Sequence, residues 1–214
     1  MKTLRYGPED RIAPIPPAEA GLQTITAEPW LKVDQLCDGD LEGTNFDLEG
    51  NLWFVEAGAK ASRIHRVNCD TRDDTVVYAD PLKRSMSGVK PGRDGRLWIP
   101  CVGPNFDHGY IFSCNRDGSD YTLELEGPAV NDMVFDSKGG YYYTDFRGNI
   151  SEQNGSVIYV TPDHKQQITL LGHLASPNGL TLSTDEKTVW ITESNAMRLL
   201  RITLDPDGGP TDIT

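Results

Sequence analysis

Short apolar runs alternate with turn-forming clusters along most of the chain, and the runs recur in register. Four segments, 42–56, 87–100, 131–145 and 178–193, follow one pattern. Each begins on a polar residue, passes through an apolar pair, turns on Asp or Glu with Gly, and leaves as a strand rich in aromatic and β-branched residues. Aligned on the turn, Gly50, Gly95, Gly140 and Lys187 correspond, and Trp53, Trp98, Tyr143 and Trp190 follow three residues later. The repeat advances by 45, 45 and 47 residues between these positions.

Each unit predicts a β-hairpin, because a short apolar strand enters a turn of Asp, Glu and Gly and a Trp/Tyr/Val/Ile strand leaves it. Third strands are predicted at 62–67, 110–113, 156–160 and 198–203, and outer strands at 74–78, 121–125 and 167–171. Four strands per repeat of about 45 residues is the arithmetic of a β-propeller blade, so the fold class is all-β with about four blades in this chain. A helical solenoid is excluded, since helical periodicity is absent and 21 Gly and 14 Pro interrupt the segments. The expected division is an arm at 1–40, with a Pro-rich stretch at 12–17, and a partial propeller at 41–214. The arm is expected to lend an outer, closing strand. The tail after Leu204 reads as the turn following a third strand, which predicts an unfinished fourth blade.

Composition narrows the partners. Of 214 residues 37% are hydrophobic, enough for a core, and 32 acidic against 20 basic residues give a net charge of −12. That charge disfavours nucleic acid and anionic membrane surfaces, which are bound through clustered Lys and Arg. No apolar stretch near the start resembles a leader, so a cytoplasmic location is expected. Cys37, Cys69, Cys101 and Cys114 lie far apart without CxxC spacing, which predicts free thiols.

The first strand of a propeller blade begins at one mouth of the central channel, so matching positions on successive blades converge. Four residues before the matched Phe46, Pro91, Phe135 and Leu182 stand Glu42, Ser87, Asn131 and Asn178. One carboxylate with amide and hydroxyl oxygens suits a hard cation such as calcium or magnesium rather than zinc. The same residue types also favour strand-entry turns through local hydrogen bonds, and that alternative stays open here. His65, His108, His164 and His173 show no HxxxH or HExxH spacing, and no GxSxG elbow is present. Segments 136–140 and 117–120 read as hairpin turns rather than EF-hand loops. Asp132 and the pair Asp145 and Arg147 could line the channel or serve structure.

Residues 41–47 (LEGTNFD), 131–140 (NDMVFDSKGG) with 143–148 (YTDFRG), and 177–179 (PNG) with 182–187 (LSTDEK) resemble the senescence marker protein, gluconolactonase and luciferin-regenerating enzyme family of six-bladed propellers. The stretch 22–30 (LQTITAEPW) is similar to the bacterial drug-responsive lactonases of that family. The resemblance implies a lactonase acting on a sugar lactone or small lactone ester, with a divalent cation, usually calcium, at the channel mouth. It implies Glu42, Asn131 and Asn178 as metal ligands, with Asn131 also meeting substrate. The family's catalytic aspartate, expected from a later blade in a Pro-Asp-Gly or Pro-Asp-Ser context, has no counterpart after Asn178, so the catalytic residue is unknown. A second, structural calcium is in doubt, because 126–130 departs from the pattern of the drug-responsive lactonases. About two blades of the family layout are missing, which predicts a weakly stable or self-associating and poorly active chain. The competing reading is a non-enzymatic propeller that binds a partner across its face. A third is a four-bladed ring closed with the help of the arm.

Overall fold

A computed structural model describes residues 17, 21–23, 25–33, 39–58, 60–206 and 208–214. The chain divides into two units, Met1–Lys32 and Val33–Thr214. The described residues of the first unit carry no strand, and the closing role expected of the arm falls largely on residues outside the described set.

The second unit is all β. Among the described residues sixteen strands form four antiparallel sheets of four, each a meander in chain order. The first blade contains β1 (Asp40–Phe46), β2 (Leu52–Ala57), β3 (Ser62–Val67) and β4 (Asp74–Ala79). The second contains β5 (Lys90–Pro91), β6 (Leu97–Cys101), β7 (Gly109–Cys114) and β8 (Thr122–Gly127). The third contains β9 (Val130–Phe135), β10 (Tyr141–Asp145), β11 (Gly155–Val160) and β12 (Gln167–Leu174). The fourth contains β13 (Pro177–Leu182), β14 (Thr188–Glu193), β15 (Arg198–Leu204) and β16 (Pro210–Ile213). This is the predicted four-blade propeller arrangement.

The fourth blade is complete, which corrects the expectation of an unfinished one. Gly208, at φ +87°, turns the chain back after Asp205, and Asp212 and Ile213 pair with Thr203 and Ile202. Only glycine adopts such a φ without strain, which makes a reversal available in what reads as a tail.

Successive strand residues point to opposite faces, and the blades stack through that alternation. Leu97 and Ile99 of β6 join Trp53, Val55 and Ile64 in the core between the first two blades, while Trp98 between them faces the third blade. Tyr141 and Tyr143 of β10 pack toward the second blade and Tyr142 toward the fourth. Strands buried on both faces read as continuous apolar runs, which is why β6 and β10 show no polar alternation. In β14, Val189 and Ile191 are buried against the third blade, whereas Trp190 between them is 37% exposed.

The hairpin turns fix the register. Gly50, Gly95, Gly139 and Glu186 occupy the positive-φ corner of each turn. In the third blade the corner is therefore Gly139, not Gly140, and the residue matching Trp53, Trp98 and Trp190 is Tyr142 rather than Tyr143. The fourth turn carries one additional residue, and its corner is Glu186 rather than Lys187.

Cys69, Cys101 and Cys114 are free thiols, and burial raises the Cys114 pKa to about 11. Cys37 lies outside the described residues. Among the described residues no helix is long and apolar enough to cross a membrane.

Candidate cation site at the start of the inner strands

The four positions singled out by the repeat share a local distortion. In the first blade Glu42 pairs with Val55 and Asn45 with Trp53, so Gly43 and Thr44 stand opposite the single residue Phe54. In the third blade Asn131 and Asp132 stand opposite Thr144, and in the fourth Asn178 and Gly179 stand opposite Thr192. In the second, Ser87, Gly88 and Val89 face only Ile99 and Pro100. Each inner strand thus carries one extra residue, at the oxygen-bearing residue in the second, third and fourth blades and directly after it in the first. Bulges of this kind bend a strand and re-aim its side chains, and they concentrate beside functional sites.

Side chains and backbone hold these bulges. Thr144 Oγ1 accepts the Asp132 N–H at 3.1 Å and donates to the Asn178 carbonyl at 2.6 Å. Thr192 Oγ1 donates to the Gly179 carbonyl at 3.3 Å. Ser87 Oγ lies 2.8 Å from the Val130 carbonyl and 3.0 Å from the Pro100 carbonyl, so its proton is engaged there and its lone pairs are left available. Gly43, at φ +56°, approaches the next blade so closely that a Cβ on it would lie 2.1 Å from the Gly88 Cα. Glycine at both positions allows Glu42 and Ser87 to sit on adjoining backbones.

Glu42, Ser87 and Asn131 line one cavity of about 480 Å³. Asn178 stands on the neighbouring inner strand, half-buried, and is not part of that lining. The cavity wall also contains Asp40, Lys83, Pro104 and Phe106, none of which the repeat arithmetic identified. Asp40 lies two residues before Glu42 on the same face of β1, a signal that strand alternation offers. Lys83 (φ +52°) and Phe106 (φ +57°) are bulky residues in the left-handed region, and the Phe106 ring lies 5.7 Å from that of Phe146. No sequence signal marks them.

The donor set fits a hard divalent cation in its chemistry. It offers carboxylate, amide and hydroxyl oxygens and no imidazole or thiolate, and calcium accepts six to eight such oxygens with water filling open positions. Among the described residues no group of three or more His, Cys, Asp or Glu is placed to hold a metal, as expected of a set with so few carboxylates.

The remaining candidates take structural places. Asp145 is buried, accepts the Ala129 N–H at 3.2 Å and pairs with Arg147. Glu193 repeats the device on the Ala175 N–H, with Arg198 as its partner. Asp132 lies beside Asn131 and accepts the Lys90 ammonium at 2.7 Å. His65 is fully buried, stacked 4.7 Å from Phe54, with Nδ1 3.0 Å from Asp74. His108 pairs with Glu126 and His164 packs edge-on to Trp98. Residues 117–120 and 136–140 form hairpin turns.

Comparison with known proteins agrees with this architecture. Lactonase drp35 of Staphylococcus saprophyticus is 42% identical over 205 residues, covering 94% of this chain and 62% of the relative. The chain therefore spans less than two thirds of that relative's length. A gluconolactonase structure from Xanthomonas campestris superposes with a TM-score of 0.67 at 19% identity, over 83% of this chain and 62% of that one. Regucalcin from Agrobacterium tumefaciens, described as a calcium-binding protein, gives 0.64 at 21% identity over 85% and 60% of the two chains. At such identities these structures speak for the fold alone. The family described as SMP-30/Gluconolactonase/LRE-like region matches residues 42–213, and the chain belongs to that family.

Proposed function

We propose that this chain carries the cation-binding part of a calcium-dependent lactonase acting on a small lactone of the sugar-lactone kind. The observation that carries the reading is the gathering of Glu42, Ser87 and Asn131 on one cavity by matching bulges, in a chain whose curated relative is a lactonase. The oxygen-only donor set supports the choice of a hard cation, and the family match with the lactonase relative supports the substrate class.

Glu42, Asn131 and Asn178 would hold the ion, with Ser87 adding a hydroxyl oxygen. When bound, a divalent cation supplies Lewis-acid polarisation of a lactone carbonyl. The Glu42 carboxylate contributes the negative charge of the set, and the amide oxygens contribute neutral dipoles. The Asn131 side chain retains two N–H donors, with which it can orient a substrate oxygen. Pro104 and Phe106 give the cavity an apolar wall, and Lys83 places a cation on the same wall.

Hydrolysis of γ-lactones and aldonolactones, measured with calcium and after chelation, tests the proposal together with calcium-dependent thermal stabilisation. Glu42→Gln is expected to abolish both calcium responses. Turnover that chelation and Glu42→Gln leave unchanged would sink it.

A further inference from the structure

The geometry points to Asp132, together with Lys90, as a positioning device that holds Asn131 and Asn178 in their ligand geometry. This rests on the cation-site reading above and extends it to residues that do not themselves belong to the donor set. Asp132 Oδ1 receives the Lys90 ammonium of β5 at 2.7 Å, and its Oδ2 receives the Leu180 N–H of β13 at 3.0 Å. One carboxylate on β9 thereby ties the inner strands of three blades together.

The destinations of these bonds give the network its role. Asp132 is the second bulge residue, directly after Asn131, and its own N–H enters the Thr144 hydroxyl. That hydroxyl donates its own hydrogen bond to the carbonyl of Asn178. Leu180 is the first residue paired again after the Asn178 and Gly179 bulge. The bonds therefore end on the backbone of, or directly beside, both asparagines and fix the angles at which their amides leave the strands. A carboxylate whose partners are an ammonium and a backbone N–H is held by charge-assisted bonds that are shorter and stronger than neutral ones. The Lys90 and Asp132 side chains are only 17% and 18% exposed, so solvent screens the pair weakly. Apolar side chains would pack the three strands as firmly, but they would not set backbone directions at two bulges. Groups that orient metal ligands in this way commonly alter affinity by 10–100-fold when removed.

Calcium binding by titration calorimetry, with thermal unfolding in the absence of calcium, separates positioning from general stability. Asp132→Ala is expected to weaken calcium binding about 10–100-fold, and Asp132→Asn, which can still accept the Leu180 N–H, by less. Lys90→Met, a second route to the same network, is expected to weaken it in the same direction. Ile202→Ala, at a fully buried position on β15 that pairs with Val189 and Ile213 and with none of the network residues, should lower the unfolding temperature without changing calcium affinity. Unchanged affinity in the Asp132 and Lys90 variants, or an equal loss in Ile202→Ala, overturns the positioning role. Absence of calcium binding by the unmodified chain overturns this inference and the cation-site reading together.

Discussion

The indole Nε1 of Trp53 donates a 2.8 Å hydrogen bond to Oδ2 of Asp47, the carboxylate that builds the turn leading into Trp53's own strand. The other oxygen, Oδ1, receives the N–H groups of Glu49 and Asn51 at 2.9 Å each. One acid thus shapes the turn with one oxygen and anchors an inter-blade aromatic with the other. The second blade repeats the bond, Trp98 Nε1 to Asp94 Oδ2 at 2.9 Å, and in the third Tyr159 donates to Asp136 Oδ2 at 2.7 Å.

This relationship gives stability a pH dependence. Burial pushes the Asp47 carboxyl up, but the hydrogen bonds from Trp53, Asn51 and Glu49 outweigh it and hold the folded pKa below 3.8. A depressed folded pKa contributes stability that is complete above the unfolded value and lost as pH falls through the folded one. Asp47→Asn is expected to cost about 1–3 kcal/mol at pH 7, and the gap should narrow at an acid pH well below 3.8, where Asp47 is protonated in the folded state too. Urea unfolding at the two pH values checks this, and an equal gap at both contradicts it.

Equivalent tryptophans should differ sharply in their contribution. Trp98 is 4% exposed, packed against Phe135 and Tyr141, whereas Trp190 is 37% exposed. Trp98→Ala is expected to cost about 3–5 kcal/mol, and Trp190→Ala about 1 kcal/mol or less. Denaturant unfolding of the two variants side by side reads the difference, and similar losses would contradict the stacking described.

Two glycines with positive φ separate strain from close approach. Gly50 sits at φ +82° with nothing within 4 Å of an added Cβ, while Gly43 at φ +56° meets the Gly88 backbone. Gly50→Ala is expected to cost about 1–2 kcal/mol, the penalty of the left-handed conformation alone. Gly43→Ala should cost more, about 2–4 kcal/mol, and should also reduce calcium-dependent stabilisation, because it displaces Glu42. Equal melting temperatures for the two variants would show that the inner strands can separate at no cost.

Much of this architecture is legible in the sequence because the repeat is carried by residues whose chemistry is local. Strand β3 falls at the predicted residues, and the third strands at β7, β11 and β15 differ only at their ends. The blade-three register slips by one because the Gly139 and Gly140 doublet offers two corners, and only φ distinguishes them. β16 escapes a reading based on apolar runs, since it is short and exposed and is held by pairing with β15 rather than by burial. Counting back along the inner strand finds Glu42, Ser87 and Asn131, which line one cavity, since a fixed strand length separates the matched Phe46, Pro91 and Phe135 from the cavity wall. It could not find Lys90, Asp132 and Thr144 as a group, because their association depends on the lateral packing of three blades.

The turn carboxylates and the oxygen donors occupy opposite ends of each inner strand, five residues apart in the first and third blades and seven in the second and fourth. A blade is thus a cassette with a mechanical end and a chemical end. Exchanging hairpin loops among blades would reset how firmly neighbours clamp together while leaving the donor oxygens in place. Exchanging the donor side chains themselves, with the bulge backbone kept, would change what lines the cavity without loosening the clamp.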